Sequence, residues 1–98
     1  MVGIVETIEK LSKRYSASPT EFIRLGSTLA IKDKKRNLLI EKLEILGRYD
    51  VATVQELEEK IKNSNVPEHP AWEDLIEVKN IEAEIEDIEN DIRLLQET

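Results

Sequence analysis

The stretch from Pro70 to Thr98 constrains the fold more than any other part of the chain. Val78, Ile81, Ile85, Ile88, Ile92 and Leu95 recur there at alternating spacings of three and four residues. Such spacing holds an apolar seam on one side of an α-helix over almost three heptads, the pattern of a coiled-coil strand. The positions beside the seam are Glu77, Glu82, Glu84, Glu89 and Asp91, all acidic. A helix of this kind is not stable alone in water. It needs a second surface that is apolar along its middle and basic along its edges.

The remaining sequence offers one. Residues 1–48 hold ten Lys and Arg against six Asp and Glu, whereas residues 49–98 hold four against fifteen. Two halves of opposite charge suit each other, and the net charge of -7 disfavours nucleic acid and anionic membrane as partners. Ser18-Pro19-Thr20-Glu21 carries an N-cap, a proline at N1 and a glutamate at N3, so a helix should start at residue 19. It should run to residue 46, with Gly47 as its stop. Its expected seam is Phe22, Leu25, Leu29, Leu39, Leu43 and Leu46, interrupted by Lys32 and Arg36. No Gly or Pro falls within the interruption, and the heptad phase is the same on both sides, so one continuous helix is expected.

Two shorter helices complete the set. Ile4, Ile8, Leu11 and Tyr15 share a face and predict a helix over 2–15, with Lys13 and Arg14 suiting the dipole of its last turn. Thr53-Val54-Gln55-Glu56 is a second capping box, opening a helix over 54–63. The segment 63–70 contains Pro67 and Pro70 and reads as a loop, after which the acidic helix spans 70–97. The expected fold is all-α: an antiparallel hairpin of two long helices with two short accessory helices in one domain, becoming a four-helix bundle on dimerisation. In that hairpin Lys35 faces Glu84 and Lys42 faces Glu77. One hairpin of this length leaves apolar surface uncovered, so a homodimer is expected.

Several function classes are excluded or disfavoured. With no Cys, disulfides and thiolate metal sites are absent. No apolar run approaches the roughly 20 residues of a membrane span. Glu6 and Glu9 interrupt the apolar start, which is unlike a signal peptide, so a cytoplasmic protein is expected. The richness in Glu, Lys and Ile resembles thermophile composition. There is no Gly-rich phosphate loop and no nucleophile motif.

Three groups of residues could carry chemistry. Lys32, Arg36 and Asn37, opposite Asn80 and Glu84, would form a polar layer across the seam. Its expected role is to fix register, ahead of binding a small anion. His69 and Trp72 sit among Glu68, Glu73 and Asp74. A loop-to-helix junction anchored by Trp72 is expected there, ahead of a divalent-metal site. Finally, Glu56-x-x-Glu59 followed by Glu84-x-x-Asp87 resembles the paired acidic motif of MazG-type nucleotide pyrophosphohydrolases. That resemblance implies an all-α enzyme whose four carboxylates hold Mg²⁺ against a phosphate chain. The expectation weighed first is nonetheless a non-enzymatic helical interaction module without cofactor, acting as scaffold, adaptor or regulatory subunit. The Mg²⁺-dependent hydrolase is the alternative, and a nucleic-acid-binding accessory protein using the 32–36 basic run is a second.

Overall fold

The computed structural model describes residues 3–98; Val2, where the first helix was expected to begin, lies outside them. The helices are α1 (Ile4–Arg14), α2 (Pro19–Gly47), α3 (Val54–Lys62) and α4 (Glu68–Glu97), with no strand among the described residues. Helices α2 and α4 pack against each other along the hairpin, α3 packs on α4 and α1 on α2. The Lys42–Glu82 and Lys35–Glu89 ion pairs show that α2 and α4 run antiparallel. The molecule measures 61 × 29 × 18 Å with a radius of gyration of 20.0 Å, against about 13 Å for a compact domain of this length.

The helix starts follow from side chains that satisfy otherwise unpaired N–H groups. Ser18 Oγ accepts from the Glu21 N–H at 3.1 Å, and Thr53 Oγ1 accepts from the Glu56 N–H at 3.1 Å. Glu56 reaches back to accept from the Ala52 N–H at 2.9 Å. Glu21 instead turns its carboxylate to Arg24, so the box at Ser18 is completed on one side only. At the start of α4, His69 departs from helical geometry with φ -114° and ψ 121°, and the His69–Pro70 peptide is cis; regular helix follows from Pro70.

The helix ends differ from the expectation. Gly47 was the anticipated stop for α2, but it is the last helical residue and none of the glycines has positive φ. Three non-glycine residues take the left-handed conformation instead: Ser16 after α1, Asp50 after α2 and Ser64 after α3. Each closes a Schellman turn. The N–H of the following residue returns to a carbonyl five positions back, Ala17 to Ser12 at 2.9 Å, Val51 to Leu46 at 3.3 Å and Asn65 to Lys60 at 2.9 Å.

The core is concentrated where three helices meet. Ile45 and Leu46 from α2, Val54, Leu57 and Ile61 from α3, and Ala71, Leu75 and Val78 from α4 are all buried there. Leu38, Tyr49, Val51 and Val66 pack around this cluster. Further along the hairpin only α2 and α4 face each other, and the buried Ile81, Ile85, Ile88 and Ile92 continue the core as a single row.

Two substitutions test this account of the helix ends. Ser64→Gly removes the cost of a side chain at positive φ and should raise stability by about 0.5–1 kcal/mol. Gly47→Ala places a methyl in open space within helical backbone and should also stabilise by about 0.5–1 kcal/mol. Both are read by denaturant titration; a loss of stability at Gly47→Ala would contradict its helical placement.

Candidate functional site

The α4 side of the hairpin seam is Val78, Ile81, Ile85, Ile88 and Ile92, all buried, with Leu95 half-buried near the end. The α2 side is not the leucine row that the sequence suggested. Leu25, Leu29, Leu39 and Leu43 are 60, 58, 38 and 64% exposed. Of the expected α2 seam, only Leu46 is buried and Phe22 half-buried. The residues turned toward α4 are Thr28, Ile31, Lys35, Leu38, Lys42 and Ile45, each one position before a member of the expected row. One residue is about 100° around a helix. Helix α2 therefore carries two stripes, and the leucine-rich one lies beside the hairpin rather than inside it.

The ion pairs shift in the same way. Lys42 pairs with Glu82 at 2.8 Å, where Glu77 was expected, and Lys35 with Glu89 at 3.4 Å, where Glu84 was expected. Both acids lie five positions further along α4. Glu84 pairs with Lys34 at 3.6 Å. The physical reason is that Lys35 and Lys42 lie half-buried over the isoleucine seam, their aliphatic stems covering it while their ammonium groups reach the acids at its edge.

The expected polar layer is consequently not assembled. Lys32, Arg36, Asn37 and Asn80 are all exposed, and Glu84 is taken by Lys34. Neither Lys32 nor Arg36 has an acidic partner within 4.0 Å among the described residues. They interrupt the exposed stripe as two free cations between two leucine pairs. The basic run over 32–36 is thus already half neutralised, Lys34 and Lys35 being engaged by α4.

The carboxylates of the MazG-like pattern do not converge. Glu56 is held by the Ala52 N–H at the start of α3, and Glu84 by Lys34 in the middle of the hairpin. Glu59 and Asp87 are exposed on their separate helices. Among the described residues no group of three or more His, Asp or Glu side chains is placed to hold a metal ion, so these residues do not fit the Mg²⁺ site that the resemblance implied. His69 Nδ1 lies 2.7 Å from Glu73 Oε1 at the surface, and Trp72 beside it is exposed rather than anchoring a core.

One polar cluster escaped the sequence reading. Asp74, in the second turn of α4, accepts a hydrogen bond from the Tyr49 hydroxyl and lies 3.5 Å from Arg48 Nη1. Lys60 Nζ donates to the Tyr49 carbonyl at 2.8 Å. Together these contacts tie the α2–α3 connector to both neighbouring helices. Burial, reinforced by the bond to Asp74, pushes the Tyr49 phenol up to about 12. The fold also leaves a shallow apolar hollow of about 350 Å³ between α1 and α2, lined by Ile4, Val5, Ile8, Pro19, Thr20 and Ile23 and open to solvent.

With this geometry in place the chain can be set beside known proteins. Residues 21–98 match the Uncharacterized protein MJ0235 family. The chain belongs to that family. The match takes in α2 nearly from its start, α3 and α4, including the exposed leucine stripe, while α1 and the Ser18 cap precede it. No curated protein and no solved structure matches the chain. No described helix is long and apolar enough to cross a membrane.

Two measurements follow from the contacts. Lys42→Glu should cost about 0.2–1 kcal/mol of stability, and the reciprocal Lys42→Glu/Glu82→Lys variant should recover most of it, whereas pairing Lys42→Glu with Glu77→Lys should not. The second concerns Tyr49. Its folded-state pKa lies above the unfolded value near 10, so its contribution is complete below pH 10 and is lost as pH rises through 12. In a Tyr15→Phe background, absorbance titration of the still-helical protein should show phenolate forming only near pH 12; ionisation near pH 10 would mean that the phenol is neither buried nor bonded to Asp74.

Proposed function

We propose that the protein is a non-enzymatic helical interaction module, a scaffold, adaptor or regulatory subunit, working as a homodimer in which two hairpins build a shared helical core. The observation that carries this reading is the exposed α2 stripe. Four leucines exposed on one helix face, in two pairs on either side of Lys32 and Arg36, are apolar surface of the kind that marks a protein contact. The inner face of the same helix is already committed to α4, so the stripe is not needed for the hairpin itself.

The stripe gives the test a clean variant. Leu29 and Leu43 are exposed in the single chain, so Leu29→Glu/Leu43→Glu should leave helicity and thermal unfolding of the monomer nearly unchanged. Burying those charges at an interface should weaken dimerisation by roughly 100-fold or more. Sedimentation equilibrium of the parent chain should report a dimer and that of the variant a monomer. A parent chain that stays monomeric at high concentration overturns the homodimer reading.

A further inference from the structure

The exposed face of α2 has the same character read from either end. Leu25 and Leu29 come first, then Lys32 and Arg36, then Leu39 and Leu43, with the midpoint at position 34. A face with that symmetry is complementary to a copy of itself under a two-fold axis. From the exposure, the flanking residues and the charges, we infer that two molecules associate by packing α2 antiparallel on α2 about residue 34. This rests on the reading of the stripe as an interaction surface and specifies its occupant: a second copy of this chain.

The antiparallel arrangement places Leu25 level with the partner's Leu43, and Leu29 level with the partner's Leu39. A parallel pair would also set leucine on leucine, so the stripe alone does not choose the direction. The row beside it does. Gly26, Asp33 and Ile40 follow at seven-residue spacing along one edge of the stripe. In a parallel pair this edge would face the partner's Thr28, Lys35 and Lys42, a flank that the partner's own α4 already covers. In the antiparallel pair Ile40 lies within a turn of the partner's Gly26, a large side chain over the one position without any. Asp33, close to the two-fold axis, lies near the partner's Asp33 and beside the partner's Arg36, which stands between the two carboxylates.

Two features of the single chain that otherwise lack a reason find one here. Gly26 sits inside α2 with no atom within 4 Å of where a Cβ would project, although glycine within a helix costs about 1 kcal/mol relative to alanine. Nothing in its own chain needs the space, whereas the partner's Ile40 does. Lys32 and Arg36 are cations at the centre of an apolar stripe with no acid of their own. The partner's Asp33 answers Arg36. Glu86 continues the spacing of Glu82 and Glu89 on the flank of α4 beside the stripe. By the hairpin's register it lies within a turn of the partner's Lys32. Four central cations are then balanced by four carboxylates, which turns a repulsive centre into one that selects this register over its neighbours. The size is also sufficient. At 29 residues α2 is roughly 43 Å long, and a helix face of that length is of the order of the 800 Å² per partner that a stable interface buries.

The chain has no cysteine, so single thiols can report the direction of packing. Leu25→Cys and Leu43→Cys proteins are each treated with a short bis-maleimide, alone and as an equilibrated equimolar mixture, with circular dichroism and light scattering on the same samples. The expected result is a covalent dimer from the mixture and almost none from either protein alone. Cross-linking of each protein with itself means parallel packing and overturns the inference. A dimer by scattering that yields no cross-link in any sample places the interface elsewhere; it overturns the inference while leaving the interaction module standing. A monomer by scattering removes both. As an independent check, Gly26→Leu should weaken dimerisation at least tenfold with monomer helicity intact, and an unchanged affinity would show that Ile40 of the partner does not pack there.

Discussion

Ile81, Ile85, Ile88 and Ile92 are buried along a part of the molecule where only one other helix covers them. Each such side chain contributes about 1.5–3 kcal/mol when removed from water, so α2 must be turned to shield them. It does so with modest material. Ile31, Leu38 and Ile45 supply apolar contact at every seventh position, and the stems of Lys35 and Lys42 fill the positions between. A lysine stem is an adequate cover only if its ammonium group stays at the surface near a carboxylate. Glu89 and Glu82 stand where those two ends emerge. The rotation of α2, the register of the ion pairs and the outward position of its leucines are thus one choice seen three ways.

That choice also distributes stability unevenly. At the α3 end three helices enclose a cluster in which Leu46, Leu57, Ala71, Leu75 and Val78 have almost no exposure, and Tyr49, Arg48 and Lys60 tie the connector down around it. At the opposite end the hairpin is two helices thick, α1 leans on α2, and Arg24 reaches the Thr98 carbonyl as a polar tether. Local opening in a protein begins where few apolar contacts resist it, so the far end of the hairpin should open more readily than the α3 end. A second copy laid along α2 would add apolar contact where the single chain has least.

How much of this was readable from the residues depended on whether a signal was local. The cap atoms at Ser18 and Thr53 work within four residues of chain, and both helices begin as the sequence implied. The uninterrupted course of α2 through the basic run was legible for the same reason, since nothing in that run breaks a helix. The acidic helix was legible because it has a single apolar stripe. Helix α2 has two adjacent stripes, and the richer one was assigned to the hairpin because leucine outranks a mixture of isoleucine, leucine and lysine on hydrophobicity alone. What decides between them is the fit to α4 and to α3, which no periodicity within α2 can express. The Schellman ends at Ser16, Asp50 and Ser64 were hidden because the expected marker, glycine, stands elsewhere. The spacing of Glu56, Glu59, Glu84 and Asp87 fixed two helix faces but not whether those faces meet.

A leucine stripe left outside a hairpin is hazardous unless something limits what it can stick to. An unbroken row would accept any apolar surface in any register, the route to aggregation rather than to a defined complex. Lys32 and Arg36 break the row at its midpoint with two charges that lose their hydration if buried without acids opposite. The cost is small for a partner carrying carboxylates at matching positions and large for every other, so the interruption gives up affinity and gains selectivity. On this view the polar centre of α2 is not a gap in its seam but the element that decides which surface may close over it.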